Sequence, residues 1–258
     1  MDRPFLAGLR DRLRHLRGPS AGPPAAEPSP ANDADRRIIE RALPYTMTGV
    51  PRLQALIDAV RYCERRGIPG AFAECGVWRG GSVLAMILVL QELGASERDV
   101  FLFDTFDGMP APSGRDATAS IGQPASEIWE AARSDPAHPW RETFDPRLIG
   151  EEAVRETVLG TGYPAERVHL VRGPVEQTLP SRAPQQIALL RLDTDWYQST
   201  RHELEQLYPR LATGGVLIVD DYGHWQGCRE AVDEYFGRHA APVLLTRIDY
   251  TGRLAIKQ

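Results

Sequence analysis

The stretch AFAECGVWRGGSVLAMILVLQEL, residues 71–93, reads as a short apolar strand (71–75), a glycine-rich turn and an apolar helix (83–93). A strand feeding a helix through a tight glycine turn is the opening unit of a parallel α/β sheet. The alternation continues downstream. VFLFD (100–104), RVHLVR (167–172), IALLRLD (187–193) and GVLIVDD (215–221) read as the second to fifth strands, with helices over 198–210 and 227–237. Strands so uniformly apolar are buried on both faces, as in a parallel sheet with helices on either side. Residues 243–248 and 253–256 flank a turn containing Thr251-Gly252 and read as an antiparallel hairpin. The expected fold class is α/β: a doubly wound, mostly parallel seven-stranded sheet ending in an antiparallel hairpin.

Upstream of residue 71 the pattern is helical. A helix is expected over 34–43, and Pro51 sits at the first turn of another. Leu53, Leu56, Ile57 and Val60 form its apolar stripe, and Gly67 closes it. The folded domain is expected to span 32–258. Residues 18–31, GPSAGPPAAEPSPA, read as a linker, because proline at this density holds neither helix nor ladder. In residues 1–17, Leu6, Leu9, Leu13 and Leu16 interleave with arginines. That pattern suits a membrane-surface helix or, better, a frayed arm or oligomer contact, since one short lipid-facing helix binds weakly. The segment 105–150, rich in Pro, Gly, Ser and Asp, has no clear period, and such an insertion is more often a lid over a site than a structural element.

Composition removes several classes. The 258 residues carry a net charge of −5, which offers no basic stripe for nucleic acid. No apolar run approaches the ~20 residues of a membrane span, and no secretory signal follows Met1. Cys63, Cys75 and Cys228 lack CxxC spacing, which fits a reducing cytoplasm rather than a disulfide framework. Lys257 is the only lysine, so Schiff-base and P-loop lysine chemistries have almost nothing to work with.

Ligands of open α/β sheets sit at the carboxyl ends of the strands. The first such turn is Glu74-Cys75-Gly76-Val77-Trp78-Arg79-Gly80-Gly81-Ser82. Its glycines permit close backbone approach, and the following helix N-terminus favours a carboxylate or phosphate. The spacing is not GxGxxG. Glu74 would repel a pyrophosphate but attract an ammonium or sulfonium, which points to S-adenosylmethionine. Asp104, ending the second strand, is placed to accept from ribose hydroxyls. On position alone, a capping role for Glu74 and a solvated strand end at Asp104 stay open.

The fourth strand runs into Asp193-Thr194-Asp195 and the fifth into Asp220-Asp221. Like charges a few ångströms apart raise one another's pKa or require a cation, and an all-oxygen site suits Mg²⁺. Asp193 and Asp195 share a face only if the strand persists; a turn at Thr194 would separate their roles. The plainer alternative makes Asp220 and Asp221 helix caps and Asp193 an exposed strand end.

The segments AECGVWRGGS (73–82), FDTFDGMP (103–110), LRLDTDWYQSTRHELEQLYPRL (190–211), GGVLIVDDYGHWQGCREAVDEYF (214–236) and PYTMTGV (44–50) resemble the macrocin O-methyltransferase family. The likeness spans about 35–258. It implies a Rossmann-like class I, S-adenosylmethionine- and Mg²⁺-dependent O-methyltransferase of the kind that methylates sugar hydroxyls on macrolide and aminocoumarin antibiotics, and a homo-oligomer contacting through the helices before Gly70. By the same resemblance, Asp193, Asp220 and Asp221 bind the metal and Asp195 is the general base. Glu74, Gly76, Ser82, Asp104, Gly173 and Asp193 hold the cofactor, and Thr46 and Met47 close over it.

A sugar hydroxyl is a very weak acid, so a divalent cation that stabilises the alkoxide and a base that takes the proton are the two requirements. Two vicinal oxygens would chelate the ion, which makes a diol-like acceptor the expectation. His224 is a second catalytic candidate, as base or substrate contact, against a plain surface histidine. His169, inside a strand, reads as structural. Trp78, Trp196 and Trp225 wall a sugar or pack as core. The rivals are a catechol or phenol methyltransferase, a nucleotide-binding oxidoreductase, which Glu74 opposes, and a non-catalytic binding protein, which has no use for converging acids.

Overall fold

A computed structural model describes residues 32–238 and 243–258. The expected arm and linker, residues 1–31, lie outside the described residues. In chain order the elements are α1 (Asp33–Ala42), α2 (Val50–Arg65), β1 (Ala71–Cys75), α3 (Gly81–Glu92), β2 (Val100–Asp104), α4 (Ala125–Ser134), α5 (Pro146–Ile149), α6 (Glu151–Leu159), β3 (Val168–Arg172), α7 (Val175–Thr178), β4 (Ile187–Leu192), α8 (Tyr197–Leu207), β5 (Leu211–Val219), α9 (Gln226–Arg238), β6 (Thr246–Arg247) and β7 (Arg253–Ile256).

The seven strands form one sheet in the order β3-β2-β1-β4-β5-β7-β6. β3 to β5 pair in parallel, while β7 runs antiparallel to both β5 and β6. The mostly parallel sheet with its terminal hairpin is thus as the sequence implies. Alternation explains the burial. Phe72, Leu102, Leu189, Val216 and Ile218 enter the core under α1, α2 and α3. Their neighbours Ala73, Phe103, Leu190, Leu217 and Val219 enter the core under α8 and α9. With side chains alternating between two covered faces, an uninterrupted apolar strand is the stable solution.

Local chemistry sets the boundaries. Asn32 caps α1 by accepting from the Asp35 N–H at 2.9 Å. α3 starts at Gly81 rather than 83, because Gly80 at φ 86° delivers the chain directly into the helix. It is buried from Gly81 to Leu90, which explains why it is apolar all round. β5 begins four residues earlier than its apolar run, since Leu211 already pairs with Ile187. β6 is shorter than expected; its two residues are exposed at the sheet edge.

The segment 105–150 does contain regular elements: α4, a 3₁₀ turn at Arg141–Phe144, and α5. The 3₁₀ turn and α5, four residues each, are too short to show a period in sequence. The segment is fastened to the body by the Trp196 indole, which donates to the Pro110 carbonyl at 2.9 Å, and by Asp116, which accepts from the Tyr197 N–H at 2.8 Å. Among the described residues, no helix is long and apolar enough to cross a membrane.

Candidate active site

The site follows from strand register. Glu74 on β1 lies opposite Arg191 on β4, and Arg191 lies opposite Ile218 on β5. Two residues past Ile218, on the same face by alternation, comes Asp220. Arg191 is therefore seated between two carboxylates, and it is only 1% exposed. Its Nη1 donates to Glu74 Oε1 and, at 2.6 Å, to Asp193 Oδ2. Its Nη2 donates to Asp220 Oδ1 at 2.5 Å and to Thr48 Oγ1 at 2.8 Å. From α2, Arg52 pairs with Asp220 and, at 3.1 Å, with Asp249. Burial works against the Arg191 charge, but Asp193 and Glu74 beside it more than offset this and raise its pKa. The strand IALLRLD is thus apolar except where it carries an internal cation. That corrects the reading of β4 as uniformly apolar.

The other acids lie past a sharp turn. β4 stops at Leu192, although the Asp193 N–H still bonds to the Cys75 carbonyl at 2.8 Å. Asp195 then adopts φ 67°, a left-handed conformation costing a non-glycine residue about 1–3 kcal/mol. The turn at Thr194 separates the two aspartates: Asp193 faces Arg191, whereas Asp195 accepts from the Trp225 indole N–H at 2.8 Å. The Asp195 N–H reaches Asp221 Oδ2 at 3.3 Å. Burial raises the pKa of both Asp195 and Asp221, and the neighbouring aspartates push them further.

One donor oxygen from each of Asp193, Asp220 and Asp221 lies within 4.8 Å of the others. Among the described residues Asp221 forms no direct ion pair; Arg52 and Arg191 offset its charge only from a distance, whereas they bond directly to Asp220 and Arg191 to Asp193. Three hard oxygen donors, one of them buried without a direct ion pair, fit a divalent cation such as Mg²⁺.

The glycine turn is braced from the next strand. Asp104 Oδ2 accepts from the Val77 N–H at 2.6 Å and the Trp78 N–H at 3.2 Å, and Oδ1 from the Phe106 N–H at 2.8 Å. Burial raises the Asp104 pKa, while these backbone donors oppose the rise. Gly173, at φ 133°, donates to the Asp104 carbonyl at 2.9 Å and so brings the end of β3 to the same edge. Ser82 is buried in the first turn of α3, and the Tyr45 carbonyl and the Thr46 side chain lie against Gly81. Thr46 is buried and Met47 beside it is 37% exposed. Glu74 Oε2 is buried without a hydrogen-bond partner. An orphaned carboxylate oxygen at this edge fits an ammonium donor.

Gly76 is needed for a protein contact. It has φ 81°, and a Cβ there would overlap the Asp193 carbonyl. Gly76→Ala is expected to destabilise the fold by about 2 kcal/mol or more and to displace Asp193, read as a lower denaturation midpoint with weaker Mg²⁺ binding.

His224 stacks edge-on to Trp225, with ring centroids 4.6 Å apart, and its Nδ1 meets the Tyr250 hydroxyl at 3.2 Å. Burial, with help from Arg52, pulls its pKa down to about 4, so the ring is neutral near pH 7. Trp196 and Trp225 are buried and pack on each other at 5.0 Å. Trp140 joins them, whereas Trp78 makes no ring contact with that group. His169 bonds to Asp99 at 2.9 Å and stacks on Phe101, a structural role.

Sequence reasoning passed over Arg191, Arg52, Thr48, Asp116 and Glu203. Arg191 had a visible signal, a lone charge in an apolar strand. The others sit in ordinary helix or loop contexts. Glu203 of α8 is fully buried, and burial pushes its carboxyl up from 4.5 to about 8. Because this pKa lies above the unfolded value, its contribution to stability is complete below pH 4.5 and is lost as pH rises through about 8. The melting temperature of metal-free protein is expected to carry a component that falls across that window. Glu203→Gln is expected to flatten it in a melting series against pH.

A doubly wound sheet closed by an antiparallel seventh strand, with acids at the carboxyl ends of β1, β2, β4 and β5, defines a class I methyltransferase-type fold. The chain belongs to the family described as Macrocin-O-methyltransferase (TylF), whose model matches residues 23–255. It is 35% identical to the 8-demethyl-8-(2,3-dimethoxy-alpha-L-rhamnosyl)-tetracenomycin-C 4'-O-methyltransferase of Streptomyces olivaceus, over 85% of this chain and 79% of that protein. It is 32% identical to the Mycinamicin III 3''-O-methyltransferase of Micromonospora griseorubida, over 81% of this chain and 76% of that one. Among solved structures, the O-methyltransferase NovP superposes with a TM-score of 0.68 at 30% identity, over 83% of this chain and 82% of NovP.

Proposed function

We propose that this methyltransferase moves the methyl group of S-adenosylmethionine to a sugar hydroxyl of a glycosylated natural product in antibiotic biosynthesis, with Mg²⁺ held by Asp193, Asp220 and Asp221. One observation carries the reading. Three carboxylates have donor oxygens within 4.8 Å of one another. They stand beside a fourth, Asp195, fixed by the Trp225 indole. The named activities of the relatives, methylation of decorated antibiotics, support the acceptor class.

Bound Mg²⁺ would stabilise the developing alkoxide of a weakly acidic alcohol. The chain's own residues do the rest. Asp195, with its raised pKa, takes the hydroxyl proton. The acceptor oxygen forms its bond to the methyl carbon as the carbon–sulfur bond breaks, and S-adenosylhomocysteine leaves. Glu74 Oε2 receives the amino group of the donor, and the N-terminus of α3 at Gly81 and Ser82 favours its carboxylate. Asp104 and Gly173 border the ribose, Gly76 lets β1 approach β4, and Thr46 with Met47 covers the cofactor. His224, neutral, faces the acceptor as contact or second base. Segment 105–150 serves as the lid. We place the enzyme in the cytoplasm, where buried free Cys63, Cys75 and Cys228 stay reduced, and as a homo-oligomer contacting through α1 and α2.

Purified protein incubated with S-adenosylmethionine and a panel of glycosylated macrolides and simple catechols, with Mg²⁺ or chelator, tests this by mass spectrometry. Methylation of a glycoside that chelator abolishes is expected. Methylation of catechols alone would overturn the acceptor class, and turnover indifferent to chelator would overturn the metal.

A further inference from the structure

Beneath the turn that carries Asp193 and Asp195 lies a carboxyl group with no part in the chemistry above. Glu203 is 0% exposed and projects from α8. Its Oε1 accepts from Thr194 Oγ1 at 2.9 Å, and Thr194 is the residue between the two aspartates. Its Oε2 is buried without a hydrogen-bond partner. The rest of the turn is bound to the same helix: the Trp196 N–H donates to the Thr194 carbonyl at 2.7 Å, and Ser199 Oγ donates to that carbonyl at 3.3 Å. The Thr194 side chain is thus fixed by Glu203 and its carbonyl by α8, while the next residue is held at φ 67°.

We propose that Thr194 and Glu203 form a buried brace that sets the Asp193–Asp195 turn, making Glu203 a positioning residue for the metal-binding and base aspartates. The inference rests on the reading of the acid cluster as a metal site. Its physical basis is the conformation at Asp195. A left-handed non-glycine residue persists only where its surroundings over-determine it. The backbone bonds of the turn leave the Thr194 side chain free to rotate; the Glu203 acceptor removes that freedom. A buried carboxyl with one oxygen unpartnered is tolerated here as the neutral acid, and the pull of burial together with the negative charge of Glu176, Asp193 and Asp195 acts in that direction. A neutral acceptor also adds no third negative charge behind Asp193 and Asp195. Residues that orient metal ligands from behind commonly change metal affinity by about 10–100-fold when removed.

Calorimetric titration of the full chain with Mg²⁺ alone tests this, using wild type, Thr194→Val, Glu203→Leu, Glu203→Gln and the Thr194→Val/Glu203→Leu double variant. Leucine fills the volume of Glu203 without a buried polar group, and Thr194→Val leaves the interior of α8 untouched, so the two singles do not share a folding defect. Thr194→Val and Glu203→Leu are each expected to weaken Mg²⁺ binding about tenfold. The double variant is expected to match the weaker single rather than multiply the two losses, the signature of one shared interaction. Glu203→Gln, which keeps a neutral acceptor, is expected to stay within about threefold of wild type. Wild type that binds Mg²⁺ with single variants that match it, or losses that simply multiply, would overturn the brace alone. Wild type that binds no Mg²⁺ would overturn the metal reading and the brace with it.

Discussion

Asp195→Asn is expected to lower kcat for methyl transfer by about 10²- to 10⁴-fold while leaving S-adenosylmethionine binding within twofold of wild type, a loss typical of removing a general base. The substitution is close to isosteric, and the amide oxygen can still accept from the Trp225 indole that holds Asp195 Oδ1 at 2.8 Å. What disappears is the ability to take a proton. The pH dependence provides the second readout. Burial and the neighbouring Asp193 charge raise the Asp195 pKa above the ordinary carboxylate value of 3.8. The base must be deprotonated to act, so wild-type kcat/KM is expected to climb with pH until Asp195 is ionised. The variant's residual rate is expected to lack this limb. Steady-state kinetics across pH with an acceptor glycoside measures both. A variant that keeps wild-type turnover would remove Asp195 from the chemistry.

Arg191→Leu is expected to cost about 3–5 kcal/mol of folding stability, measured by chemical denaturation, because it leaves buried carboxylates without their counter-charge. The guanidinium bonds to Glu74, Asp193, Asp220 and Thr48, with 2% of its side chain exposed. Arg52 still reaches Asp220, but among the described residues Glu74 has no other ion pair. Arg191→Lys is the informative companion. An ammonium restores the charge but is a point donor and cannot span four partners arranged around a planar fork. It is expected to recover part of the stability and little of the Mg²⁺ affinity, since Asp193 and Asp220 would no longer be held at fixed positions. A leucine variant as stable as wild type would show that the acids at this edge do not depend on the internal cation.

The sequence by itself determined the strands and most helices, the hairpin, and the acids at the carboxyl edge. These follow from local signals: apolar runs long enough for a buried strand, a glycine turn leading into a helix, and aspartates where apolar runs stop. β1 and β2 occupy 71–75 and 100–104, the same residues the apolar runs mark. The terminal pair 253–256 likewise required only alternation and a turn. Segment 105–150 escaped because its 3₁₀ turn and α5 span only four residues each, and because the segment is fastened by contacts to distant residues, such as Asp116 on the Tyr197 N–H.

Only the tertiary structure decided which charges face one another. Four acids at two strand ends could all have waited for a metal, or two of them could already be neutralised. Register settled this by setting Arg191 opposite Glu74, and α2 settled it again by lowering Arg52 onto Asp220. Whether Asp193 and Asp195 act together or apart depended on one backbone angle at Asp195, itself held by residues 9 and 30 positions away through Thr194–Glu203 and Asp195–Trp225. The physical reason is range. Side-chain alternation and turn propensity act over a few residues and are written into the local sequence. Charge pairing in a buried site depends on distances between segments far apart in the chain, and those distances exist only once the sheet has closed its register and excluded water.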